Sequence, residues 1–195
     1  MLKITRPVAV ILIIAISFLA GFAANGVVNR IEKAQHPDDY REIVEKYATQ
    51  YNVPAYIVFA IIDTESNFDE NANSSAGAMG LMQMMPSTFE WLTSADHLGE
   101  NLLSDNLYDP EVSIRYGTYY LRYLFEKFYN WNTVFAAYNA GEGNVSRWLA
   151  DREYSDGQGG LKSIPFEETR KYVKKVNKSK EYYKNTYYKN EDGIS

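Results

Sequence analysis

Apolar residues recur at the three- and four-residue spacing of α-helices along most of the chain, and no stretch alternates long enough to predict a β-strand. Runs of Gly, Asn and Ser indicate loops at residues 67–80 and 155–160. Asp38 and Asp39 are suited to cap the first helix, and Pro54 to open the second. The predicted helices cover residues 38–51, 54–66, 86–92, 110–128, 133–139, 143–149 and 166 onward. The pattern therefore predicts one mainly helical domain.

A long uncharged segment lies near the N-terminus. Residues 8–28 would span about 31 Å as a helix, which matches the roughly 30 Å hydrocarbon core of a bilayer. Lys3 and Arg6 precede this segment, so the positive-inside tendency places the N-terminus in the cytoplasm and the rest of the chain outside. We expect a single-pass membrane anchor over residues 1–29, a short stalk over 30–37 and an extracytoplasmic domain over 38–190.

A cleaved signal peptide is the alternative interpretation of the same segment. Its most apolar part ends at Leu19, and the small residues Gly21 and Ala23 stand where a signal peptidase could cut. The chain has no cysteine for a lipoprotein anchor. Both interpretations export the domain, either held at the membrane or released as a secreted or periplasmic protein.

Composition excludes several classes of function. The chain has no cysteine and only two histidines, so we expect no disulfide, no cysteine nucleophile, no metal and no cofactor. Residues 31–159 carry 20 acidic and 8 basic side chains, which argues against nucleic acid as a partner. Residues 160–190 are basic; the stretch from Lys171 to Lys189 is interpreted as a solvated helix face, with contact to an anionic wall polymer or membrane surface as the alternative. Metal-free carboxylate chemistry is what remains.

Glu65 is the carboxylate whose position is unusual. It follows Val58, Ile61 and Ile62 at helical spacing, so we expect its side chain on the buried face of its helix. Asp63 is rotated by about 200° and should point elsewhere. Burial and the negative end of the helix dipole both favour a protonated carboxyl, which is the state that a general acid needs. On position alone, a structural Glu bonded to a neighbouring loop is the simpler interpretation.

Four short motifs surround Glu65 in order along the chain. They are Glu65-Ser66, GAMGLMQMMP at residues 77–86, AYNAG at 137–141 and IPFEETRKYV at 164–173. In order and spacing they resemble the lytic transglycosylase family, and the resemblance covers roughly residues 39–176. It implies a lysozyme-like, mainly helical fold with a glycan-binding groove, lined by Glu65 as the catalytic acid and base.

The resemblance also implies a set of substrate-binding residues. They are Ser74, Gln83, Met85, Tyr138, Asn139, Glu168 and Tyr172. The hydroxyl of Tyr138 is expected to support the catalytic carboxyl or the acetamido group of the substrate, and Glu168 and Tyr172 to close the back of the site. Met82 and Met84 are expected in the core. Phe166 stands where the family commonly has tyrosine, which should alter packing more than chemistry.

The activity implied by the resemblance is cleavage of the MurNAc-GlcNAc β-1,4 bond of peptidoglycan without water, leaving 1,6-anhydro-MurNAc ends. The expected partners are peptidoglycan strands and the membrane. A hydrolytic muramidase on the same fold is one alternative, but it needs a second carboxylate. Asp69 and Glu70 are near in sequence and fit a solvated turn better. A glycan-binding scaffold protein without turnover is the other alternative.

Overall fold

The computed structural model of the protein describes residue 18 and residues 37–94 and 96–189. Except for Phe18, the predicted membrane segment lies outside these residues. Within them, no helix is both long and apolar enough to span a bilayer. The chain divides after Pro37 into two units, and the fold that follows is that of the second, Asp38–Ser195.

Helices dominate this unit. They are α1 (Arg41–Tyr51), α2 (Ala55–Glu65), α3 (Pro86–Thr93), a 3₁₀ helix (Ser104–Tyr108), α4 (Pro110–Phe128), α5 (Trp131–Ala140), α6 (Glu142–Ala150) and α7 (Glu167–Tyr187). In the described part of the chain, β-structure is limited to isolated bridges, such as Asn73 with Met79 and Ser155 with Leu161. The prediction of a mainly helical domain is confirmed.

Helix α2 is the centre of the core. Every residue from Ile57 to Thr64 is buried, so this helix is enclosed on all sides rather than on one stripe. It packs most extensively against α7, and also against α1. Phe59, fully buried, stacks on Tyr183 of α7 with ring centroids 5.2 Å apart. Because α7 carries the end of the fourth motif, this packing brings that motif to the C-terminal end of α2.

The enclosure of α2 changes one expectation. Asp63 has a different partner from Glu65, as its rotation predicted, but it is buried too, with 6% of its surface exposed. Its Oδ2 accepts a 2.5 Å hydrogen bond from the Ser179 hydroxyl of α7. A buried carboxylate needs such a partner, and here the packing of a helix distant in sequence supplies one.

The predicted caps of α1 were wrong. The residue before the helix is Tyr40, in the left-handed conformation with φ 64°, and no side chain caps the helix. Asp38 instead forms an ion pair with Arg41, with the closest nitrogen and oxygen 2.7 Å apart. The left-handed conformation of Tyr40 directs the chain into the helix, and the Asp38 carboxylate pairs with Arg41.

The 3₁₀ helix was not predicted, because five residues are too short for a periodic pattern. The backbone N–H of Leu103 donates to the Asn106 side chain at 2.9 Å, which holds its start. It covers a second, smaller core under the GLMQ loop, formed by Met79, Met84, Phe89, Leu92, Leu107 and Tyr116. Met84 and Met82 are both buried, as expected for core residues.

Candidate active site

Glu65 is the last residue of α2, and its carboxyl is held by α7. The Tyr172 hydroxyl donates a 2.6 Å hydrogen bond to its Oε1. Burial raises the pKa of Glu65 from its ordinary 4.5 to about 7, although the Tyr172 hydrogen bond and the charge of Lys175 favour the carboxylate. A carboxyl with this pKa can both give and accept a proton near neutral pH.

Tyr138 lies beside Glu65 but is bonded elsewhere. Its hydroxyl donates to the Met82 carbonyl at 2.8 Å, so it braces the GLMQ loop. Burial, and next the charge of Glu65, raise the pKa of Tyr138 well above 10. The same two causes raise the pKa of Tyr172, which keeps both hydroxyls protonated as donors. The tyrosine that contacts the carboxyl is therefore the one expected at the back of the site.

Two residues that were not predicted as site residues, Ser66 of the first motif and Lys175, fix the end of α2. The Ser66 hydroxyl donates to the Leu81 carbonyl at 2.8 Å and ties the helix to the GLMQ loop. The Lys175 ammonium donates to the Thr64 carbonyl at 2.7 Å. A signal existed for each, since Ser66 adjoins Glu65 and Lys175 lies three residues after Tyr172, on the same side of a helix.

The loop over residues 67–80 is braced from within. The Gln83 amide donates to the carbonyls of Ala72 and Gly80, each at 3.0 Å. The Ser74 hydroxyl oxygen accepts from the Ala78 N–H at 2.9 Å, which leaves its own proton free to donate. At Gly80, with φ 73°, a Cβ would collide with the Leu107 carbonyl, so this glycine is required by both conformation and space.

A cleft of about 210 Å³ runs past this loop. Four of the expected residues line it, namely Gln83, Met85, Tyr138 and Asn139. Glu65 is not among the residues that line this particular cleft, and its carboxyl is bonded to Tyr172 of α7. Glu65 nevertheless keeps partial solvent exposure as a residue.

Two further clefts adjoin the central one. A cleft of about 370 Å³ shares Thr88, Tyr120 and Gly141 with it. Another, of about 550 Å³, shares Asn139 and Ala140. Because they share these wall residues, the three clefts lie side by side, and they are referred to together as the groove; aromatic and polar side chains line it.

The fourth motif lines one end of this groove. Glu168 is exposed there, in the same cleft as Phe166. The Thr169 hydroxyl donates to the Asn139 side chain at 2.8 Å, which joins α7 to the end of α5. Phe166 packs edge-on against Trp148 with ring centroids 5.0 Å apart.

Carboxylates that follow Glu65 closely in sequence or line the groove have their own partners. Asp69 is exposed and accepts from the Asn71 N–H at 2.9 Å, as in a solvated turn. Glu70 accepts from the Tyr40 hydroxyl at 2.8 Å. Glu142, which the sequence analysis did not single out, lines the groove and pairs with Lys127 at 3.1 Å. Across the described ranges, no cluster of His, Asp and Glu has the arrangement of a metal site.

The pKa of Glu65 predicts a pH-dependent cost in stability. The pKa of this carboxyl is higher in the folded than in the unfolded protein. Its contribution to the free energy of unfolding is therefore fully present below about pH 4.5 and is lost as pH rises through 7. We expect Glu65→Gln to unfold like the wild type at pH 4 and to be more stable at pH 8, by about 3 kcal/mol. Urea unfolding of both proteins at pH 4, 6 and 8 measures this. Equal stabilities at pH 8 would contradict the raised pKa.

Comparison with known proteins gives a consistent result. The transglycosylase SLT domain profile matches residues 42–158. The soluble lytic murein transglycosylase of Escherichia coli strain K12 is 37% identical over 151 residues, covering 76% of this chain and 23% of the relative. The membrane-bound lytic murein transglycosylase C of Edwardsiella ictaluri is 31% identical over 180 residues, covering 81% of this chain and 49% of the relative.

A solved structure shares the fold. The 70 kDa soluble lytic transglycosylase of Escherichia coli superimposes with a TM-score of 0.71 at 35% sequence identity, over 78% of this chain and 25% of that one. The chain thus spans about a quarter of the length of these soluble proteins. The resemblance drawn from the four motifs is confirmed, and so is the helical fold that it implied.

Proposed function

The chain belongs to the transglycosylase SLT domain family, and on that premise we propose that it is a lytic transglycosylase. It cleaves the MurNAc-GlcNAc β-1,4 bond of peptidoglycan strands without consuming water. The observation that carries this proposal is the Glu65 carboxyl, which has a pKa of about 7 and a tyrosine donor at one oxygen. Asp69, Glu70 and the groove residue Glu142 each have other partners.

The first half of the reaction uses Glu65 as an acid. Its carboxyl gives a proton to the bridging oxygen, and the bond from that oxygen to C1 of MurNAc breaks. The carbonyl oxygen of the 2-acetamido group of the same sugar then stabilises the positive C1. Substrate assistance of this kind replaces the second carboxylate that most glycosidases require.

The second half uses the same group as a base. Glu65 is now a carboxylate, and it takes the proton of the C6 hydroxyl of MurNAc while that oxygen bonds to C1. A 1,6-anhydro ring forms, and Glu65 is protonated again for the next cycle. Proton transfer contributes about 10²–10⁴-fold, so placement of the glycan in the groove must supply much of the rest.

The other family residues are proposed to place the glycan. Gln83, Met85 and Asn139 line the central cleft, and Glu168 lines the cleft beside it. The free proton of the Ser74 hydroxyl is available to a substrate oxygen. Tyr138 acts by fixing the GLMQ loop and Tyr172 by holding the carboxyl. We assign all of these to substrate binding or support, and the proton transfers to Glu65 alone.

We further propose that residues 1–29 anchor the enzyme in the cell membrane, with the catalytic domain outside. The support is the uncharged run over residues 8–28 after Lys3 and Arg6. The protein should then sediment with membranes, and external protease should release the domain. A mature chain that begins near Ala24 would identify a cleaved signal peptide instead.

The experiment that tests the proposed activity is digestion of purified cell wall by the full chain, followed by mass spectrometry of the released muropeptides. We expect products one water lighter than those of a hydrolase, because each ends in an anhydro ring. Reducing ends would establish the hydrolytic muramidase. Binding to the wall without release of muropeptides would establish the scaffold protein.

A further inference from the structure

We propose that Lys175 is a positioning residue for the reaction: its ammonium fixes the end of α2 and stabilises the carboxylate that Glu65 becomes after giving up its proton. Nothing in the four motifs marks this residue, which lies beyond the last of them. The inference rests on the proposed function for its catalytic consequence, but its electrostatic part can be measured without turnover.

The geometry begins with one hydrogen bond. The Lys175 Nζ lies 2.7 Å from the carbonyl oxygen of Thr64, the residue immediately before Glu65. Carbonyls in the last turn of a helix lack partners within that helix, and a cation bonded there also offsets the negative end of the helix dipole. One turn earlier on α7, Tyr172 holds the Glu65 carboxyl itself. Two side chains of α7 therefore donate hydrogen bonds to the same end of α2.

Lys175 provides the positive charge that stabilises the Glu65 carboxylate, because the other groups around Glu65 are neutral or bonded elsewhere. Tyr172 from α7 and Tyr138 from α5 face it as neutral hydroxyls. Asp63 on α2 itself is turned to Ser179. Among the described residues, Lys175 is the one cation whose charge acts on Glu65. Burial raises the pKa of Glu65, whereas the Lys175 ammonium and the Tyr172 hydrogen bond lower it.

The reaction needs this balance, because Glu65 must lose its proton readily and then regain one. Without the ammonium, the proton is held more tightly, so donation to the bridging oxygen becomes slower. The acid form also persists to higher pH, because the pKa of Glu65 rises further. Loss of Lys175 should therefore lower the maximum rate and move the alkaline limb of the pH profile upward.

Three variants of the full chain, purified in mild detergent, test this. Lys175→Met removes the charge, and Lys175→Arg keeps it. Lys174→Met is the matched control, because it removes one exposed positive charge from the neighbouring position of the same helix. Muropeptide release is measured from pH 5 to 9 as kcat and KM. The Glu65 carboxyl is titrated by carbon NMR on protein labelled at glutamate, with its signal assigned from Glu65→Gln.

For Lys175→Met we expect kcat below pH 6 to decrease by a factor of between a few and about ten, with KM little changed. Its alkaline limb and the Glu65 titration should both move to higher pH. Lys175→Arg should restore both, and Lys174→Met should keep the wild-type profile. Unchanged titration and limb in Lys175→Met would overturn the inference, as would an equal shift in Lys174→Met. Should Lys175→Met fail to fold, Lys175→Gln takes its place, with the same outcomes.

The titration separates this inference from the proposed function. If the Glu65 pKa rises in Lys175→Met while the wild-type protein releases no anhydro products, the proposed function fails and the electrostatic role of Lys175 stands. If the wild type releases anhydro products and its Glu65 titration is unmoved by Lys175→Met, the function stands and the inference fails.

Discussion

Glu65→Gln should release anhydromuropeptides at least 10²–10⁴-fold more slowly than the wild type. Glutamine keeps the shape of the side chain and can still accept the Tyr172 hydrogen bond through its carbonyl oxygen. It has no proton to give at neutral pH and cannot take one back. Both halves of the proposed reaction are therefore lost, while the groove is unchanged. Pull-down on insoluble peptidoglycan should show that binding survives.

Asp69→Asn and Glu70→Gln are the matched controls, because each makes the same change to a nearby carboxylate with a partner of its own. We expect both to release product at close to the wild-type rate. A near-normal rate for Glu65→Gln would refute the mechanism. An inactive Asp69 or Glu70 variant that still binds the wall would reveal a second catalytic carboxylate and favour the hydrolytic muramidase.

Phe59→Ala should be the most destabilising of the simple core truncations, with a loss of roughly 3–5 kcal/mol in the free energy of unfolding. Phe59 has no exposed surface, and it stacks on Tyr183 across the interface of α2 and α7. That interface also sets the distance between Glu65 and Tyr172. The melting temperature should fall by roughly 6–20 °C, and urea unfolding followed by tryptophan fluorescence measures the free energy.

Leu103→Ala is the control for Phe59→Ala, because its side chain is 75% exposed and its removal opens no cavity. We expect its free energy of unfolding to stay within about 0.5 kcal/mol of the wild type. A Phe59→Ala protein that is as stable as Leu103→Ala would mean that α2 and α7 do not pack as described.

Much of the fold could be predicted from the sequence because its helices begin and end with local signals. Pro110 follows Asp109, whose side chain accepts from two backbone N–H groups at the start of α4, and the predicted bounds of that helix are the observed ones. Gly141 has φ 84° and separates α5 from α6, as the break in the pattern indicated. Tyr40 is the counterexample, since nothing local favours a left-handed tyrosine.

The hydrogen-bond partners within the site were harder to predict than the residues that form it. The motifs identified Glu65 and Tyr172, but the hydrogen bond between them joins residues 107 positions apart. Tyr138 bonds to Met82, and Gln83 bonds to its own loop, because tertiary packing gives those groups nearer partners. The contact of Lys175 with Thr64 depends on how α7 crosses α2. A linear pattern carries no information on such a crossing.

The most direct test of the central claim is to digest purified cell wall in water enriched in oxygen-18 and to weigh the new glycan ends. If Glu65 transfers the proton from the C6 hydroxyl of the same sugar, the solvent contributes no atom to the anhydro ring. The products should then carry no heavy oxygen and be one water lighter than a hydrolase would leave them. Reducing ends that carry one oxygen-18 atom would show that water attacks C1, and would contradict the non-hydrolytic mechanism.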